Sequence, residues 1–176
     1  RSLTFSYSLA SSSCNLLAAS FSAFESTSSM VFDRVNRVVY AGISPRTNAV
    51  QLIIWCRHNN YELVLFETEG HTGSAIYHTD VLMYVGTDIV GICFDVIRPE
   101  HRDYVKDKVR QHHEVIELSS EQIEEFCRNA IEAQNSDNEL FLIMSSRAFK
   151  ALKQEQINKL LTSYKDIIHS DIPTIE

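Results

Sequence analysis

The sequence predicts an α/β fold assembled from repeated ββαβ units, and two observations carry that expectation. Helix starts recur near residues 48, 100 and 147, a period of about fifty residues that marks a modular array. Each start is preceded by two short apolar runs and followed by a third, so every period reads strand, strand, helix, strand. A fan or propeller of such units fits the period. An ordinary α/β domain with a single mixed sheet fits the alternation equally well, and periodicity alone leaves the two open.

In the first unit, residues 30–32 and 37–43 make a hairpin around the polar turn 33–36. Thr47 or Asn48 caps the helix that follows, whose apolar Val50, Ile53, Ile54 and Cys56 favour one side, and residues 61–66 alternate like a strand. The second unit runs through residues 81–85, a Gly86-Thr87-Asp88 turn, residues 89–94, a helix opening near Pro99 and residues 115–118. Proline suits that position because a first-turn amide has no intrahelical partner to lose. The third pass is fainter: residues 129–133, a polar loop 134–138, residues 140–144, a helix from about 147 to 164, then Ile167 and Ile168. Ser119 and Gln122 have the spacing of a capping box for a short helix leading into it.

With 176 residues, 44% of them apolar and 22% charged, the chain has the makings of one compact domain. Sixteen Lys and Arg against 23 Asp and Glu give a net charge of -7, which repels nucleic acid and anionic membrane surfaces. No apolar stretch is long enough to cross a bilayer. Cys14, Cys56, Cys93 and Cys127 are scattered, with no Cys-x-x-Cys pair and no histidine at ligand spacing, so we expect a reducing, cytoplasmic setting, no metal site and no cofactor. Residues 1–23 hold no acid, one base and many Ser, Ala and Leu. That composition is transit-peptide-like, but it reads first as an extension outside the fold, leaving residues 24–176 as the domain.

The most informative stretch is Tyr77-His78-Thr79-Asp80-Val81-Leu82-Met83. In an extended strand His78 and Asp80 project from the same face, setting a proton carrier beside a carboxylate able to grip a planar guanidinium through two hydrogen bonds. On spacing alone such a pair is more often a satisfied polar pair at a sheet edge. Glu25 stands before the first hairpin, either as a solvated loop acid or as the carboxylate that orients a catalytic histidine. Arg46 joins a strand to a helix, where an arginine is usually a surface charge but can also clasp a carboxylate. Asp33 and Arg34 read as turn charges, Cys93 as core and Cys56 as a helix-face residue. Arg128 beside Cys127 could lower that thiol's pKa, which makes Cys127 a remote candidate nucleophile.

Taken together, Glu25 with the following Ser-Met-Val-Phe-Asp-Arg, the run Ser44-Pro45-Arg46-Thr47-Asn48, and residues 77–83 resemble the amidinotransferase-like, citrulline-hydrolase branch of the arginine deiminase superfamily of guanidine-modifying enzymes. The resemblance spans roughly residues 24–176. It implies a pentein-type α/β propeller of five ββαβ modules, of which about three are present as an incomplete ring. A cysteine thiolate in that family attacks the guanidine or ureide carbon and forms a covalent intermediate. Matched by position, His78 would be the general acid and base, Glu25 its carboxylate partner, Asp80 a clamp on the substrate's nitrogens and Arg46 a clamp on its α-carboxylate.

The departures from the family matter too. Its nucleophile lies in a Gly-Gly-Gly-Ser-x-Arg-Cys motif just beyond Glu176, and no residue here matches it. Ser26 and Ser28 stand where it has glycines, and Cys127-Arg128 stands where it has Ala-Gly. Were those glycines at positive φ, serine would cost about 1 kcal/mol each. Asp80 is Asn in many close relatives and Asp in the deiminase branch, which leaves guanidine versus ureide open. The expectation is therefore a fragment of a guanidine- or ureide-processing hydrolase, inactive alone, acting on a free amino acid such as arginine or citrulline. A non-catalytic ligand-binding or protein-interaction member and a decayed gene product are the alternatives, and a homodimer would cover exposed sheet edges.

Overall fold

Among the described residues nine short strands form three separate sheets, each built to the same plan. The computed structural model describes residues 27–45, 47–70 and 73–172. In the first sheet β1 (Val31–Asp33) pairs antiparallel with β2 (Val38–Ile43), which pairs parallel with β3 (Glu62–Glu67) after helix α1 (Ala49–His58). The second repeats this with β4 (Met83–Val85), β5 (Ile89–Ile92), helix α2 (Pro99–Arg110) and β6 (Glu114–Glu117). Helix α3 (Ser120–Glu124) leads into the third: β7 (Ile131–Gln134), β8 (Leu140–Ser145), helices α4 (Ser146–Ala151) and α5 (Gln154–Leu160), then β9 (Asp166–Ser170). Three sheets in place of one mixed sheet decide for the modular reading, a series of ββαβ units.

Local chemistry accounts for the boundaries. Asn48 caps α1 by accepting the amides of Val50 and Gln51 at 2.9 and 3.1 Å. Pro99 opens α2, and Ser119 with Gln122 closes the expected capping box on α3. The single helix expected over residues 147–164 is broken, because Leu152 is extended. Two buried glutamines stabilise the break: Gln122 donates to the Ala151 carbonyl at 2.8 Å, and Gln156 accepts the Lys153 amide at 2.8 Å while donating to the Glu117 carbonyl.

Helix α1 also departs from expectation. Leu52 and Cys56, one turn apart, face Met30, Val39 and Ala41 in a small satellite core, whereas Val50, Ile53 and Ile54 point to solvent. The main core is continuous across all three modules, because α2 packs on β3 and α5 on β6, in both cases the last strand of the module before. Polar clamps join the same neighbours. Asp33, expected as a turn charge, is buried against His113 just ahead of β6, and Glu132 of β7 binds the Thr87 amide and hydroxyl while accepting the Tyr164 hydroxyl at 3.0 Å.

Candidate substrate site

Residues 79–81 form a 3-10 turn, not the start of a strand, so β4 begins only at Met83. His78 is extended and half-buried at the head of the turn, and Asp80 is exposed within it; the two do not alternate along one strand face as expected. Thr79, between them, is the anchor. Its buried hydroxyl accepts the Gly42 amide at 2.9 Å and donates to the Ser29 carbonyl at 2.8 Å, while Ser44 Oγ donates to the Tyr77 carbonyl at 3.1 Å. These bonds tie the turn to the first module. Sequence reasoning passed over Thr79, because a small hydroxyl between two ionisable residues gives no signal of its own.

Asp80 borders a cavity of about 690 Å³ lined by strands of all three modules, among them Phe32, Met83 and Tyr84. Arg34, Arg128 and His169 bring further polar groups to the same wall. Apolar walls with a few convergent polar groups are the usual make-up of a small-molecule site, and the low local dielectric strengthens any charge pairing within it. The Arg128 guanidinium donates to Asn129 Oδ1 at 2.8 Å and lies 5.5 Å from the Phe126 ring centre, while its Nε is buried with no partner among the described residues. Burial pulls its pKa below the usual range and the charge of Asp80 works against that pull, so the two are electrostatically coupled. Arg34 was read as a turn charge, and Arg128 as a neighbour of Cys127 and a departure from the family's Ala-Gly. Their convergence depends on tertiary packing.

His169 packs parallel to Phe149 with ring centres 4.2 Å apart, and its Nδ1 lies 3.1 Å from Ser146 Oγ. His78 is not among the residues bordering the cavity; it sits two positions from Asp80 at the head of the same turn. Glu25 and Arg46 lie outside the described residues, as do Cys14 and Ser26. Ser28 lies in a 3-10 turn and is not among the residues at positive φ; in the later turn that conformation falls to Phe126, not Arg128. Cys127 is fully buried, its thiol donates to the Ala148 carbonyl at 3.2 Å, and burial pushes its pKa up to about 12. The adjacent Arg128 does not activate it. Among the described residues Glu67, Glu100 and His101 could together hold a cation, but Arg98 already pairs with Glu67 at 3.2 Å and approaches Glu100 at 3.9 Å.

The family model described as eukaryotic N,N dimethylarginine dimethylhydrolase matches residues 4–176. The chain belongs to that family. It thereby falls within the pentein, arginine-deiminase-type superfamily of guanidino-modifying hydrolases. No curated protein matches the chain. Among solved structures it is similar to ArgZ, an arginine dihydrolase from the ornithine-ammonia cycle in cyanobacteria, at a TM-score of 0.65 and 15% identity over 86% of this chain and 22% of that one. The substrate-bound N-terminal domain of ArgZ aligns at 0.61 and 16% over 84% of this chain and 50% of that one. A dimethylarginine dimethylaminohydrolase adduct aligns at 0.51 and 21%, covering 82% of this chain and 49% of its own. The chain thus spans about a fifth to a half of the proteins it resembles, and at these identities the likeness concerns fold. No helix among the described residues is long and apolar enough to cross a membrane.

Proposed function

We propose that this chain carries the guanidinium-binding and proton-transfer side of a hydrolase site for a free guanidino or ureido amino acid, such as arginine, dimethylarginine or citrulline. The observation that supports it best is Asp80, a carboxylate held on a pinned turn at the rim of a cavity, in a chain of this family. Asp80 accepts two hydrogen bonds from the planar guanidinium. His78, at the head of the same turn, moves the proton to and from the reacting carbon's substituents, with Glu25 orienting its ring and Arg46 holding the α-carboxylate. The nucleophile is a cysteine other than Cys56, Cys93 and Cys127, all three buried with thiol pKa values pushed up by that burial. The chain alone binds ligand in a reducing, cytoplasmic setting and does not turn it over.

A non-catalytic binding member is the second reading, and Arg128 favours it: a fixed positive charge shares the cavity with Asp80 and competes with a ligand's guanidinium. Calorimetric titration of the 176-residue chain with L-arginine, N,N-dimethylarginine and citrulline tests the proposal. Saturable binding of a guanidino amino acid is expected, weakened about 10- to 100-fold in Asp80→Ala, as loss of a charge-assisted hydrogen bond worth about 1.5–3 kcal/mol implies. Binding indifferent to Asp80→Ala, or no binding, would overturn it. Tighter binding in Arg128→Ala would favour the non-catalytic reading.

A further inference from the structure

Helix α3 ends in a turn that carries phenylalanine where glycine is usual. The Cys127 amide donates to the Gln122 carbonyl at 3.0 Å and the Phe126 amide to the Ile123 carbonyl at 3.2 Å, which puts Phe126 in the left-handed position of a helix C-cap, at a φ of 63°. A bulky side chain is strained there and persists only where its surroundings hold it. Two guanidiniums hold the Phe126 ring, Arg147 at 5.0 Å and Arg128 at 5.5 Å from its centre, and Arg147 is itself paired with Glu125 at 2.6 Å.

The strained turn sets the two residues that follow it. The Asn129 amide donates to the Phe126 carbonyl at 2.8 Å, and Arg128 and Asn129 both border the cavity. Packing seals Arg128 Nε, and Nη1 donates to Asn129 Oδ1 at 2.8 Å. That leaves donors for the cavity: the remaining N–H bonds of Nη1 and Nη2, and the side-chain amide nitrogen of Asn129. Arg128 feels the charge of Asp80 without forming an ion pair with it among the described residues. Donors on one part of the wall and a carboxylate on another suit a ligand with an anionic end and a donor-rich end.

We propose that Arg128 and Asn129 hold the ligand's α-carboxylate, and that Phe126 is the positioning residue that aims them. The inference rests on the ligand reading above and adds the determinant by which the cavity tells a free amino acid from the amine that lacks its carboxylate. Arg128 shares the carboxylate with Arg46. A planar guanidinium gives a carboxylate two parallel hydrogen bonds, and a guanidinium fixed in advance by packing loses little freedom in making them.

Calorimetric titrations with L-arginine and with agmatine, the same molecule without its carboxylate, test it on the wild type, Arg128→Ala and Phe126→Gly. The wild type should prefer L-arginine. Arg128→Ala should weaken L-arginine about 10-fold, as loss of a charge-assisted pair implies, and should not weaken agmatine. Phe126→Gly relieves the strained φ, so it should melt at or above the wild-type temperature and still lose the preference for L-arginine. Equal losses for both ligands in Arg128→Ala, tighter L-arginine binding in that variant, or a Phe126→Gly chain that keeps the preference would overturn the proposal. L-Norvaline, which has the carboxylate and no guanidino group, separates this site from the role of Asp80. It should shift the Arg128 and Asn129 side-chain NMR signals alike in the wild type and in Asp80→Ala, and no shift at either residue overturns the carboxylate site whatever Asp80 does. Should Arg128→Ala lose cooperative melting, Arg128→Gln removes the charge and keeps a hydrogen-bonding side chain.

Discussion

His113 Nε2 lies 2.7 Å from Asp33 Oδ2, and both side chains are sealed from solvent between the first and second modules. Burial pushes the Asp33 carboxyl up, but the backbone amide of Asn36, His113 and the Asn36 side chain together outweigh it and hold the pKa below its ordinary value of 3.8. A depressed carboxylate contributes stability that is present above its unfolded pKa and lost as pH falls through the lower folded one. Urea melts from neutral pH downward should therefore show stability declining below about pH 4. Asp33→Asn should remove part of that acid dependence, and Asp33→Ala should cost about 3 kcal/mol by leaving its partners unpaired.

Tyr84 lies across Gly91 in the β4 and β5 pair, and a Cβ at residue 91 would come within 2.0 Å of the ring. Gly91→Ala should destabilise by about 1–3 kcal/mol through overpacking. A double-mutant cycle with Tyr84→Ala should recover part of the loss, and additive costs would mean that the ring moves aside freely.

Thr79→Val should lower stability by about 1–3 kcal/mol, since it takes away the hydroxyl that accepts the buried Gly42 amide and donates to the Ser29 carbonyl. If the turn is what aims Asp80, ligand affinity should fall as well, with both effects smaller in Thr79→Ser. Thermal melts and titrations on the same samples separate the two.

Cys127 should resist alkylation in the native chain at pH 8 and react only on unfolding, because its thiol is buried with a pKa of about 12. A thiol-reactive dye on a Cys14→Ser background reads this directly. Rapid native labelling at Cys127 would contradict the burial described here.

Most of the scaffold was legible in the sequence because short apolar runs, caps and proline act locally: the three helix starts, the Asn48 cap and the Ser119 and Gln122 box all fall where residue chemistry puts them. Failures came where tertiary packing outvoted local pattern. Val50, Ile53, Ile54 and Cys56 read as one side of α1, yet of these only Cys56 is buried, beside Leu52 on the sheet side. Asp33 read as a turn charge because its partner His113 lies eighty positions away. Within the candidate site Asp80 was legible through family resemblance, whereas Arg34, Arg128 and His169 reach the cavity only after three modules pack.

The central claim, that a guanidino amino acid binds in the cavity at Asp80, is tested most directly by amide and side-chain NMR shifts of the 176-residue chain during titration with L-arginine. Saturable perturbations should be concentrated at Asp80, Arg128, Asn129 and His169 and disappear in Asp80→Ala. Perturbations scattered over the outer helices, or none at saturating ligand, would contradict it.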